Sequence, residues 1–167
     1  MLSNVKEELN RFAKYVISQS RANLTRGKKN SSKQLYNSLD SNVKVSKNSF
    51  ELSFLMEDYG VFQDKGVSGV NKKYNTKYSY TTKMPPPSKM DKWIVKKGIA
   101  PRGKDGKFIS RKSLQFMIAR SIFNNGIKPS LFFTKPFEKA FKNIDKDLIK
   151  AYKLDIETLM NNSINNK

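Results

Sequence analysis

Two residue types are missing from this 167-residue chain altogether: it has no cysteine and no histidine. Without cysteine there is no thiol nucleophile, no disulfide and no thiolate ligand. Without histidine there is no imidazole for acid–base work near neutral pH. Any metal would have to be held by carboxylates, carbonyls or water. Carboxylates are themselves scarce, with 14 Asp and Glu against 33 Lys and Arg. Long hydrophobic runs are lacking too, since no apolar stretch approaches the ~20 residues needed to cross a bilayer. The first residues, MLSNVKEELNRF, have no continuous apolar core and do not read as a signal peptide. The expectation is a soluble protein made in a reducing cytoplasm, with no membrane partner.

What is in excess is positive charge. A formal +19 on a chain of this length means self-repulsion unless an anionic partner offsets it. Charge alone admits nucleic acid, an anionic membrane or an acidic protein surface; the first and last are the expected partners. From Asn71 to Lys112 there are 13 Lys and Arg against two Asp, a net +11, whereas the chain from Thr134 on is close to balanced. Length and apolar content suit one domain, residues 1–167, with a hydrophobic core.

Leu2, Val5, Leu9, Phe12, Ala13, Val16 and Ile17 recur at three- and four-residue spacing and predict an amphipathic helix to about Leu24. TRGKKNSS reads as a solvated loop, and Leu35 and Leu39 as i,i+4 partners on a short helical turn. Val43 and Val45, then Phe50, Leu52 and Phe54, alternate with polar residues on either side of Lys47-Asn48. This predicts an antiparallel hairpin with one buried face. Residues 67–92 have no apolar period, carry three tyrosines, and include Pro85, Pro86 and Pro87, which impose a stiff, extended path. They predict an exposed excursion, too polar to bury against its own domain and ordered on a neighbour. Met90, Trp93 and Ile94 suggest a short helix ending near Gly98, and Lys104-Asp105-Gly106 a turn. Ser110 is a candidate N-cap for a helix to about Asn124, with Leu114, Met117, Ile118 and Ile122 as its apolar stripe and Gly126 as its stop. Thr134 caps the last helix, with Pro136 in its first turn. Phe137, Ala140, Phe141, Ile144, Leu148 and Ala151 line its buried face. NNSINNK, residues 161–167, reads as a flexible tail.

YGVFQDKGVSG, residues 59–69, is the stretch with the most concentrated chemistry. A P-loop needs GxxxxGK[ST] opening a helix, but Gly60 is followed at that distance by Asp64-Lys65-Gly66, and the pattern fails. Gly66 and Gly69 are spaced GxxG, but the GxGxxG dinucleotide fingerprint is absent. A metal nuclease would pair Glu51 and Asp64 with Lys65, yet adjacent Asp64 and Lys65 do not share a strand face. The remaining reading is a turn. Tyr59 and Phe62 pack it onto the core, with Gly60 between them; Gly66 and Gly69 let the chain reverse with positive φ, and Asp64 and Lys65 stay partly exposed. Phe54, Phe62, Phe137 and Phe141 are expected to be buried together. No catalytic, cofactor-binding or metal-ligating residue is expected.

The excursion interleaves Lys72, Lys73, Lys77 and Lys83 with Tyr74, Tyr78 and Tyr80. Lysines beside aromatics suit an anionic partner, either a single strand held by stacking and phosphate contacts or an acidic protein surface. Tyr74, Tyr78, Tyr80, Pro86 and Trp93 are the candidate interface residues, and the four lysines the candidate contacts to DNA or an acidic partner. Trp93, Phe116 and Phe123 read as core or interface residues rather than as platforms for bases.

Four features, in order, carry a resemblance over Met1 to about Tyr152. They are the N-terminal amphipathic helix, NSSKQLYNSLDSNVKV, LSFLMEDYGVFQDKGVSG, and GIKPSLFFTKPFEKAF leading into the last helix. In this order the chain resembles the tail-completion (neck) proteins of tailed phages, and most of all those of crAss-like phages. These are small subunits of head–tail connector rings. The departure is the long basic excursion from Val67 to Pro101, an extended interaction loop. The resemblance implies an α+β fold, a small antiparallel sheet packed against the N- and C-terminal helices. It implies a virion structural protein with no enzymatic activity, made in the host cytoplasm. Its homo-oligomeric ring, 12-fold rather than 6-fold, would join portal or adjacent connector ring to tail proteins and surround packaged DNA. The alternative from another class is a nucleic-acid-binding protein using the Lys/Tyr stretch.

Overall fold

The structure, a computed structural model, describes residues 2–30, 32–46 and 49–165, with side chains through residue 161. The elements run α1 (Ser3–Arg26), α2 (Gln34–Ser38), β1 (Asp40–Val45), β2 (Phe50–Leu55), α3 (Tyr59–Lys65), a 3₁₀ turn (Pro87–Met90), α4 (Asp91–Lys97), α5 (Arg111–Asn125) and α6 (Thr134–Asn165). The fold is α+β, with a two-stranded antiparallel sheet, N- and C-terminal helices against it, and a long basic stretch without regular secondary structure from Gly66 to Pro86. Contacts between backbone positions divide the chain into two compact units where the sequence suggests one domain. Unit 1 is Met1–Arg26, Leu35–Glu57 and Phe132–Lys167; unit 2 is Gly27–Gln34 and Asp58–Leu131.

In unit 1 the apolar period of α1 buries Val5, Leu9, Phe12, Ala13, Val16 and Leu24. The hairpin pairs Val45 with Phe50, Val43 with Leu52 and Ser41 with Phe54, the register that the alternation predicts. Ser46 N donates to Ser49 O at 2.7 Å across the hairpin end, while the Lys47-Asn48 turn itself lies outside the described residues. Val43 and Leu52 pack on Val5, Leu9 and Ala151, and Phe54 joins Phe12, Val16 and Ile144. Phe54 meets Phe133 edge-on at 5.1 Å, and Phe137 meets Phe12 edge-on at 5.8 Å, the offset geometry that ring quadrupoles favour. Leu24, Leu35, Leu39 and Phe132 form a further cluster. Beside it the Arg21 guanidinium donates to Tyr36 O (3.1 Å) and Leu39 O (2.9 Å) while lying over the Tyr36 ring. That places a cation on carbonyls at the end of α2, where the helix leaves them unsatisfied.

Asp155, near the end of α6, completes this unit and is only 2% exposed. Its Oδ1 accepts from Asn4 N (3.0 Å), Asn4 Nδ2 (2.8 Å) and Ser3 Oγ (3.3 Å), and its Oδ2 from Val5 N (3.0 Å). The carboxylate thus caps the first turn of α1 from a different helix and sits against the positive end of its dipole. Burial pushes the group up, but hydrogen bonds from Asn4, Val5 and Ser3 outweigh it and hold its pKa below the ordinary aspartate value.

Unit 2 has less apolar core, with Val67, Ile94, Leu114 and Ala119 buried. The 3₁₀ turn and α4 lie along α5, and Asp91 accepts from Gln115 Nε2 at 2.7 Å with Arg111 at 3.7 Å. Ser110 is the N-cap of α5, accepting from Ser113 N at 3.1 Å, and α4 ends at Gly98, both as expected; Gly98 takes the left-handed conformation there.

Several expectations are corrected. Residues 59–65 are a helix, not a turn, and winding them up turns Gly60 and Asp64, four apart, inward. Tyr59 (42%) and Phe62 (41%) are consequently exposed, and Asp64, at 4%, is buried rather than partly exposed. Phe62 belongs to unit 2 and the other three phenylalanines to unit 1; Phe141, stacked on the outer side of Phe137, is 54% exposed. Met117 is exposed, and Ala119 takes its place on the buried face of α5. Thr134 is the first residue of α6 rather than its cap. The last helix continues to Asn165, beyond the start of the expected tail at 161; residues 166 and 167 lie outside the described residues.

Asp155→Ala leaves two backbone N–H groups of α1 without their acceptor and is expected to cost about 2–3 kcal/mol. Because the folded pKa is depressed, the stabilisation from the carboxylate is complete above its unfolded pKa, about 3.9. It is lost as pH falls through the lower folded value. Urea melts of wild type and variant should therefore differ at pH 7 and converge in strong acid; an equal gap at both would refute the assignment.

Candidate interaction surface

The basic stretch is anchored to the end of α5 by its backbone. Val70 N donates to Phe123 O (3.0 Å), and Asn71 N and Lys72 N to Asn124 O (2.9 and 3.2 Å). These carbonyls belong to the last turn of a helix, where intrahelical donors run out. Nearby, Val67 and Ile127 exchange both backbone hydrogen bonds (2.9 and 2.7 Å). Where the segments cross, Gly69 and Gly126 lie back to back. A Cβ on Gly69 would fall 2.2 Å from Asn124 O, and one on Gly126 2.1 Å from Val67 O. Gly69 is thus required by space, not by the positive φ expected of it; Gly66, at φ +76°, does use that region.

Ser68, buried at 4%, organises residues 74–80. Its N–H donates to Tyr78 O and its carbonyl accepts from Tyr80 N, both at 2.8 Å. Its hydroxyl accepts from Tyr74 N at 3.0 Å and donates to Tyr74 O at 3.2 Å. Thr76 Oγ1 donates to Gly66 O at 3.1 Å. The expectation that this stretch stays detached from its own domain is overturned. Its lysines stay exposed, but the backbone and hydroxyl groups of residues 67–80 find partners within unit 2.

This path alternates the side chains. Tyr74, Tyr78 and Tyr80 are half-buried, while Lys72, Lys73, Lys77 and Lys83 are exposed. Tyr78 meets Phe62 edge-on at 4.8 Å, and Tyr80 tilts against Phe123 at 6.3 Å. Burial raises the Tyr80 hydroxyl pKa above its usual value. Lys72 lies over the ring of Tyr74 (5.7 Å) and Lys77 over that of Tyr78 (5.3 Å). The tyrosines therefore already have partners in their own unit, and the cations are what the surface presents. Lys73 Nζ donates to Gly69 O at 2.9 Å, bracing the turn.

The structure thus brings Lys72, Lys77 and the three tyrosines together with Phe62 and Phe123, two partners that composition alone does not reveal. Pro86 is exposed immediately before the 3₁₀ turn, and Trp93, 42% exposed, stands on α4 with Ile94 as its buried neighbour. No described contact joins either to the tyrosines. A further aromatic–cation pair was not anticipated: Arg102 lies over Phe108 at 4.2 Å and donates to Gly106 O, where the expected turn closes. Charge follows the units. Unit 2 has 19 Lys and Arg against four Asp, net +15; unit 1 has 14 against ten, net +4. Crowding of like charge is visible at Lys29, whose ammonium pKa is lowered first by partial burial and then by Lys128.

Of the acids considered for a nuclease, Glu51 lies on β2 in unit 1, accepting from Ser53 Oγ at 2.8 Å, and Asp64 is buried in unit 2. Among the described residues no group of three Asp or Glu is arranged to hold a metal, and no helix is long and apolar enough to cross a membrane. No protein-family description, curated protein or solved structure matches the chain.

Gly69→Ala should cost about 2 kcal/mol or more, because backbone rather than a flexible side chain blocks the new methyl group. A urea melt followed by Trp93 fluorescence reads this; an unchanged midpoint would show that the two segments do not approach so closely.

Proposed function

We propose that this chain is a structural subunit of a phage particle, a member of a ring between portal and tail that surrounds the DNA channel. It works by assembly, not turnover. The observation that carries this reading is the division of charge, +15 on unit 2 against +4 on unit 1. A ring subunit needs two kinds of surface: one for an anionic partner, and one where like copies meet without strong repulsion. Unit 2 suits packaged DNA or an acidic neighbouring ring. Unit 1, nearly balanced and helical, suits contacts among copies. The order of the four sequence features points the same way, and the ring is proposed as 12-fold rather than 6-fold.

A second reading, a nucleic-acid-binding protein, is favoured by the exposed lysines at 72, 73, 77 and 83. Because Tyr78 and Tyr80 pack on Phe62 and Phe123, this binding would be to phosphates and insensitive to sequence, rather than stacking on bases.

Mass spectrometry and image averaging of purified particles test the first reading. The chain should be present at a fixed copy number in a ring at the neck, and its absence from particles would overturn the proposal. Fluorescence anisotropy with duplex DNA across a salt series tests the second. Replacing Lys72 and Lys77 with Ala should shrink the logarithmic salt slope by roughly one for each phosphate no longer neutralised. An unchanged slope would assign these lysines to a protein partner.

A further inference from the structure

The outer side of α6 carries apolar residues that its own unit does not cover. Phe141 (54% exposed), Ile149 (69%), Tyr152 (50%), Ile156 (40%) and Met160 (60%) fall on one arc, beside the face that buries Ile144, Ala151 and Asp155. The stripe is about 29 Å long at 1.5 Å per residue. Asp155 already reaches the first turn of α1, so the helix runs on for roughly 15 Å beyond that point, carrying Ile156 and Met160 with it.

We propose that this stripe is a self-association face, pairing α6 of one copy antiparallel with α6 of a second. Three observations select a second copy. First, the stripe is self-complementary when reversed about a point between Ile149 and Tyr152. Ile149 then meets Tyr152 of the other copy, and Phe141 meets Met160, a sulfur–aromatic pair. Second, Asp145, exposed on the same arc, lies opposite Ile156 in that register and comes within a turn of Lys153 at the edge of the partner's stripe, twice over by symmetry, so its carboxylate has a cation to meet. The helix as a whole has six Lys against five Asp and Glu, so two copies meet there without net repulsion, while a polyanion is drawn to unit 2. Third, the exposed parts of the five side chains amount to roughly 500 Å² per copy, or about 1,000 Å² for the pair, the lower edge of a specific interface.

The pairing is isologous and closes at two copies, so it stands apart from the ring. A chain absent from particles could still pair, and a chain found in a ring could still fail to.

Sedimentation equilibrium of the full chain in about 0.5 M salt, where charge repulsion is screened within about 5 Å, tests the idea. Expected is a reversible dimer in the micromolar-to-millimolar range. Ile156→Glu should weaken it by about tenfold or more, with the thermal melt retained. Asp145→Lys and Lys153→Asp should each weaken it, and the two together should restore it. Since the chain has no cysteine of its own, a variant carrying both Phe141→Cys and Met160→Cys should form disulfide-linked dimers on oxidation. A wild type that stays monomeric throughout, a dimer indifferent to Ile156→Glu, or a double-cysteine variant that does not cross-link would each overturn the pairing, as would association that proceeds beyond two copies.

Discussion

A buried carboxylate at the first turn of α1 sets the register of everything in unit 1. Asp155 binds the backbone of Asn4 and Val5, and from that fixed point the two long helices run antiparallel. Phe12 then meets Phe137 and Ile144, and Leu24 reaches Phe132. The hairpin rests on the surface so formed, with Val43, Leu52 and Phe54 filling it. A shift of α6 by one residue would rotate Asp155 by about 100° away from the helix end and strand its charge against apolar neighbours. The carboxylate contributes specificity of register as well as stability.

Unit 2 is held by other means. Its apolar core is small, and its shape depends on backbone groups finding partners. The last carbonyls of α5 take donors from residues 70–72, those at the end of α3 take donors from Ser130 and Leu131, and Ser68 ties residues 74, 78 and 80 together. Such a design permits a surface rich in lysine and arginine, because few of those side chains are asked to pack. Tyr74, Tyr78 and Tyr80 are half-buried beside that core and leave the ammonium groups outside.

The elements with regular period were legible in the sequence: α1, the hairpin register, α5 with its Ser110 cap, α4 with Gly98, and the inward face of α6. α3 was not, because its pattern is inverted. It turns Gly60 and Asp64 inward and Tyr59 and Phe62 outward, which no hydropathy rule anticipates, and a glycine at its second position reads as a turn. Asp155 was equally hidden, an acid beyond Ala151, the last residue expected on the buried face, whose partner lies about 150 residues away. At the candidate surface the lysines and tyrosines were visible by composition, but their arrangement was not. It depends on Phe62 and Phe123, which flank the stretch from separate helices, and on a crossing for which Gly69 leaves room rather than torsional freedom.

The distance in sequence between Asp155 and the turn it caps also sets an order of events in the cell. At about 5–20 residues per second, the ribosome needs roughly ten to thirty seconds to move from Val5 to Asp155. Throughout that interval α1 is present without the group that closes its first turn, and without the helix that covers Val5, Leu9 and Phe12. Most of unit 2, by contrast, is contiguous from Asp58 to Leu131 and has its partners in hand when α6 has scarcely begun. The partners of unit 2 are therefore synthesised before those of α1, whose Val5, Leu9 and Phe12 wait for the last fifth of the chain to supply the helix that covers them.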